Sequence, residues 1–186
     1  MMFNQMDEIQ RLMEGPTEPP RFSLAVLELK PFGDLSLYAK RLRDVIFAGV
    51  ELSYREDFNK EELDSSNVPH WFRVVTDQYH EHGVDLADDI KKGRNRYYEI
   101  YYDEDDWDVQ EWLFCFDPEC RNWKWWDLTI VDDQTLFLWI DTSGEPVIAC
   151  QELRWAAFVS GAEVAHDLVF QSKEIWSQQS SIGIKR

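Results

Sequence analysis

The hydrophobic positions of the chain change their period part-way along it. Over residues 2–14, Phe3, Met6, Ile9 and Met13 recur at helical spacing until "GPTEPP" ends the run. This predicts a short N-terminal helix or arm within residues 1–20, followed by a stiff proline-rich connection. "RFSLAVLELK" reads as a first strand, closed by "PFG". Asp34 then caps "LSLYAKRLRDVIFA", in which Leu35, Tyr38, Leu42, Val45 and Ile46 form one stripe, and Gly49 is placed to stop the helix. Residues 50–68 are polar and irregular. A second helix is expected from Pro69 to Gly83, with a turn or short helix over "VDLADDIKKG".

From Arg96 to Cys150 the period becomes two. Strands are expected near 97–102, 109–116, 124–131, 135–140 and 146–150, with "VDDQT" and "DTSGEP" as hairpin turns. Tyr98, Ile100 and Tyr102 would then be one inward strand face and Trp112, Phe114 and Phe116 the next, joined by the acidic connection "DEDDWD". "CQELRWAAFVSGAEVAHDLVF" predicts two short helices broken at Gly161, before a polar tail over 177–186 that frays. Helices, then an antiparallel meander, then helices is the order of an α+β fold, with a sheet of about five to six strands and helices packed mainly on one face. A chain of 186 residues suits a single domain.

The two faces of that sheet differ. Trp126, Leu128, Ile130, Leu136, Leu138 and Ile140 share the parity of a core, whereas Trp125, Asp127, Thr129, Phe137, Trp139 and Asp141 mix aromatics with carboxylates. The second set is either covered, by an N-terminal segment for example, or is a recognition surface of aromatic anchors ringed by polar groups.

Charge sharpens the second alternative. The chain carries a net −17, but residues 97–141 alone hold thirteen acidic and two basic residues, and six of the nine tryptophans. A field of this sign repels nucleic acid and anionic membrane and steers a cationic partner inward. No direct nucleic-acid or membrane binding is therefore expected. Three cysteines, an odd number, and a polar start without a signal-peptide core suggest a cytoplasmic protein with reduced thiols.

Candidate chemistry is sparse. His80 and His82 flank Glu81, but residues two apart on a helix point to different sides, so they read as a polar helix end and not as a metal pair. Cys115 and Cys120, with Cys150 further on, lack the further ligands of a zinc site and the local partners of a nucleophile. Asp103, Glu104, Asp105, Asp106 and Asp108 lack the spaced ligands and glycine of a calcium loop. No phosphate-binding loop, dinucleotide fingerprint or serine elbow is present, so no metal, cofactor or catalytic residue is assigned.

The segment "DTSGEPVIACQELRWAAFVSGAE", residues 141–163, resembles the closing segment of small acidic bacterial immunity proteins of toxin systems. The resemblance covers about an eighth of the chain and implies a cytoplasmic protein that binds and blocks one cognate toxin, often a basic nuclease. It transfers no contact residues. Within it, Glu152 and Arg154 read as a helix-end ion pair and Trp155 as a core residue.

These readings converge on an acidic binding module that neutralises a cationic protein, such as a toxin domain. Its contacts would be Asp103, Glu104, Asp105, Asp106, Trp107, Asp108, Trp125, Asp127 and Trp139. Two other classes remain open. One is a small-molecule or carbohydrate binder, or a hydrolase, using Trp and Asp or Glu over the sheet. The other is a DNA-mimicking inhibitor with carboxylates spaced like phosphates.

Overall fold

The structure, a computed structural model, describes residues 5–77 and 85–184. These form an α+β fold of seven helices and a six-stranded antiparallel sheet. In chain order the elements are α1 (Gln5–Glu14), β1 (Leu24–Pro31), α2 (Leu35–Arg55), α3 (His70–Thr76), α4 (Asp88–Ile100) and α5 (Val109–Phe114). There follow β2 (Lys124–Ile130), β3 (Leu136–Asp141), α6 (Gln151–Val159), β4 (Ala162–Ala165), β5 (Val169–Gln171), α7 (Lys173–Ser177) and β6 (Ser180–Ser181). The sheet runs β4-β1-β3-β2-β6, and β5 pairs with a further stretch of β1. Among the described residues no helix is long and apolar enough to cross a membrane.

Alternation along β1 sets the two faces. Ala25, Leu27 and Leu29 point into one large core with residues from α2 to α6, while Leu24 and Val26 join Trp139 on the other side. The β2–β3 hairpin turns at "VDDQT" as expected, closed by the Val131 amide on the Thr135 carbonyl. Asp34 caps α2 through the Leu37 amide at 2.7 Å, also as expected. The helix does not stop at Gly49, however, and continues to Arg55. A Cβ at Gly49 would lie 2.6 Å from the Phe116 ring, so this glycine is a packing notch and not a terminator.

Three strand expectations are overturned. Residues 97–100 belong to α4 and 109–114 to α5, while 146–150 form no strand. In α4 the inward positions are Ile90, Gly93 and Tyr97, a helical spacing, so Ile100 and Tyr102 are exposed and do not face inward. The expected second closing helix is absent too. Gly161 does end α6, at φ +117, but Ala162–Ala165 turns into β4 beside β1. Residues 177–182, expected to fray, run back through β6. Ile182 is buried, its amide on the Leu128 carbonyl and its own carbonyl accepting from Arg43 Nε at 2.6 Å.

α1 is present, and of its expected apolar stripe Ile9 packs against the core while Phe3 lies outside the described residues. Met13 is exposed, whereas Leu12 and the carboxylate of Glu8 are enclosed. Glu8 takes both guanidinium arms of Arg121 at 2.9 and 3.1 Å, the Tyr54 hydroxyl, and the Trp125 amide at 2.6 Å. Arg11 then donates to the Trp125 carbonyl at 3.0 and 3.2 Å. Both backbone groups of Trp125 are thus met by side chains of a helix.

Candidate functional site

The residues "DEDDWD" do connect two elements, but the elements are α4 and α5, and the connection is built on aromatic supports. Tyr97 is fully buried at the end of α4. Its hydroxyl donates to Glu104 Oε2 at 2.7 Å and accepts from Trp107 Nε1 at 3.0 Å. Burial first, and the Glu104 hydrogen bond second, hold the Tyr97 phenol above its ordinary range, so it remains a donor. The other Glu104 oxygen accepts from Gln151 at the start of α6. Trp107 is half-buried and stacks on Trp155 with ring centroids 6.4 Å apart. Asp108 accepts from the Glu111 amide at 2.9 Å and so caps α5. The Tyr98 phenol is pushed up to about 12 by burial and then by the neighbouring Asp106 carboxylate.

The six predicted residues of this loop therefore divide by role. Glu104, Asp106, Trp107 and Asp108 hold the crest in place. Asp103 and Asp105 are exposed and have no hydrogen bond or ion pair with a described residue. Beside them stands Tyr102, which is 77% exposed. A period of two turns this side chain inward, whereas the helical spacing of Ile90, Gly93, Tyr97 and Tyr101 turns it out.

The other three predicted residues, Trp125, Asp127 and Trp139, do not face outward. All are fully buried, which corrects their placement among the contacts; the face that Trp139 shares is covered, the first of the two alternatives above. A bulge between Trp125 and Asp127 breaks the alternation and sends Trp125 to the helix-side core, leaving Trp126 half-buried on the opposite face. Trp139 donates from Nε1 to Thr129 Oγ1 at 2.7 Å and lies in a small cluster covered by Trp176 of α7. Asp127 Oδ1 accepts from Arg43 at 2.7 Å and from the Leu128 amide at 2.8 Å. Its Oδ2 accepts from Trp176 Nε1 at 3.0 Å and from Ser181 Oγ at 2.6 Å. Arg43 also reaches the Arg11 and Leu12 carbonyls at 3.0 Å. Burial lowers the affinity of Arg43 for its proton, and the Asp127 contact opposes that shift. This buried pair joins α1, α2, β2 and the C-terminal segment, a structural role.

Glu152 and Arg154 do not form the expected ion pair. Glu152 accepts from Trp123 Nε1 at 2.6 Å, while Arg154 reaches Asp167 at 3.1 Å; Trp155 is core, as expected. Burial pushes the Cys115 thiol up to about 12, with Glu152 adding to the shift, and burial also raises Cys150. The three cysteines are unpaired with one another. His80 and His82 lie outside the described residues. Among the described residues no group of three or more His, Cys, Asp or Glu is placed to hold a metal ion.

Comparison with known proteins finds no family model, no curated protein and no solved structure that matches the chain significantly.

Proposed function

We propose that the protein is a binding module that captures a cationic protein on the α4–α5 crest, in the manner of an immunity protein blocking a toxin domain inside the cell. The observation that carries this reading is the crest itself. Asp103 and Asp105 project beside the exposed ring of Tyr102, while Tyr97, Trp107 and Asp108 tie the same loop to the core. Unpaired carboxylates supply long-range attraction, and a neighbouring tyrosine supplies contact area at low entropic cost. A fixed loop loses little freedom on binding, so more of that contact is retained as affinity. The immunity reading rests additionally on the resemblance over residues 141–163 and on the charge of −17.

The test is kinetic. The product of a neighbouring reading frame that encodes a basic domain is the partner to assay, by surface-based binding at two ionic strengths. Asp103→Lys with Asp105→Lys should slow association by about tenfold or more at low salt and flatten its salt dependence. Tyr102→Ala should instead speed dissociation. Association unchanged by the double charge reversal would remove the crest from the interface. Unaltered far-ultraviolet circular dichroism and thermal midpoint would show that the exposed substitutions spare the fold.

A further inference from the structure

A second feature shares no residue with the crest. α1, the connection behind it and the β2–β3 face enclose a cavity of about 510 Å³ lined in part by Asp7, Arg11, Glu18, Phe22, Trp126 and Asp141. This volume falls within the range of about 300–1,000 Å³ typical of small-ligand sites. Its walls combine prolines of "GPTEPP" with the half-buried indole of Trp126, and Phe22 stands at its margin 75% exposed.

The charges of this lining are not balanced. It holds three carboxylates, Asp7, Glu18 and Asp141, against two guanidinium groups, Arg11 and Arg21. Arg11 is already engaged by the Trp125 carbonyl and lies 4.7 Å over the Trp126 ring, and Arg21 also has an interaction of its own. Asp7 and Glu18, by contrast, accept no hydrogen bond and make no ion pair from a described residue. Asp141 Oδ1 accepts the Ser143 amide. With Arg11 and Arg21 already engaged, the lining keeps an excess of one negative charge, which favours a cation over an anion or a neutral molecule. The Arg11–Trp126 contact, in the field of Asp7 and Asp141, also shows that this wall accommodates a guanidinium.

We infer that the cavity is a binding site for an organic cation carried on an apolar stem, the chemistry of an arginine or lysine side chain. The stem lies along the proline and aromatic walls, and the charged head meets Asp7, Glu18 and Asp141. The inference does not depend on the crest and survives if the crest binds nothing.

The probe is acetyl-arginine amide, with acetyl-citrulline amide as its uncharged isostere, titrated into the ¹⁵N-labelled full chain and followed by amide and indole shifts. Saturable shifts confined to residues 7–22 and to Trp126 and Asp141 are expected with arginine, with citrulline weaker on the order of fivefold. Asp7→Asn and, separately, the exposed Phe22→Ala should each weaken arginine binding, while Asp103→Asn leaves it unchanged. Equal affinity for the citrulline compound, shifts centred on the crest, or no saturable response would each overturn the assignment.

Discussion

Glu152 is a carboxyl group kept almost dry, 7% exposed in the first turn of α6, with the Trp123 indole as its neutral hydrogen-bond donor. Burial raises its pKa, and the Trp123 bond only partly offsets that rise. A carboxyl whose folded value lies above its unfolded one, near 4.3 for glutamate, stabilises the protein most when both forms are protonated. That contribution is present below the unfolded value and is lost as pH rises through the folded one. Glu152→Gln should therefore match the wild type at low pH and exceed it once the wild-type group ionises. Urea midpoints measured from acid to neutral pH would show this, and parallel curves for the two proteins would discount Glu152 as the titrating group. At this scale the sequence was informative about residue type and silent about partners. "ELRW" displayed the glutamate, but its partner Trp123 lies 29 residues earlier and only the fold brings them together.

Among the elements, the α4–α6 contact turns on one glycine. A Cβ at Gly93 would sit 1.8 Å from the Phe158 carbonyl oxygen, so α4 lies against the backbone of α6 with no room for a side chain. Gly93→Ala would gain about 1 kcal/mol in helix propensity, yet forced separation of two packed backbones costs typically about 1–3 kcal/mol or more. Net destabilisation is expected in chemical denaturation; a gain in stability would mean that the helices separate freely. The same residue explains why the pattern of this stretch differs from its structure. A glycine after "DDIKK" signals a helix end, and an aromatic run after it signals a strand, but here the glycine is an interior contact and the helix runs on to Ile100. The hairpin β2–β3 and the cap of α2 were legible because turn chemistry and capping are local. The bulge at Trp125 was not, because nothing in "WKWWD" marks which residue is the extra one, and a single insertion reversed the faces assigned to Trp125 and Trp126.

For the whole molecule, charge proved a coarse guide to exposed charge. Of the acids in residues 97–141, Asp127 is buried against Arg43. Asp108, Asp117, Asp132 and Asp141 each accept a backbone amide two or three residues ahead, at 2.8 to 2.9 Å. Much of the acidity therefore makes turns and caps, and among the predicted contacts the exposed, unengaged acids are Asp103 and Asp105, beside Tyr102.

The clamp of α1 on β2 has a consequence beyond cohesion. β6 pairs only with Thr129 and Ile130 of β2, so the hydrogen-bonding groups of Trp125 would lie on an open sheet margin were Glu8 and Arg11 not seated on them. Such a margin is a template on which another chain can add a strand. Glu8→Ala would uncover the Trp125 amide and leave the buried Arg121 side chain without its anion, at a cost of about 3–5 kcal/mol. The expected result is a concentration-dependent shift to larger species in light scattering, preceding global unfolding; a strictly monomeric variant would show that another contact guards the margin. A single buried acid on the N-terminal helix would then be what keeps separate copies of the protein apart.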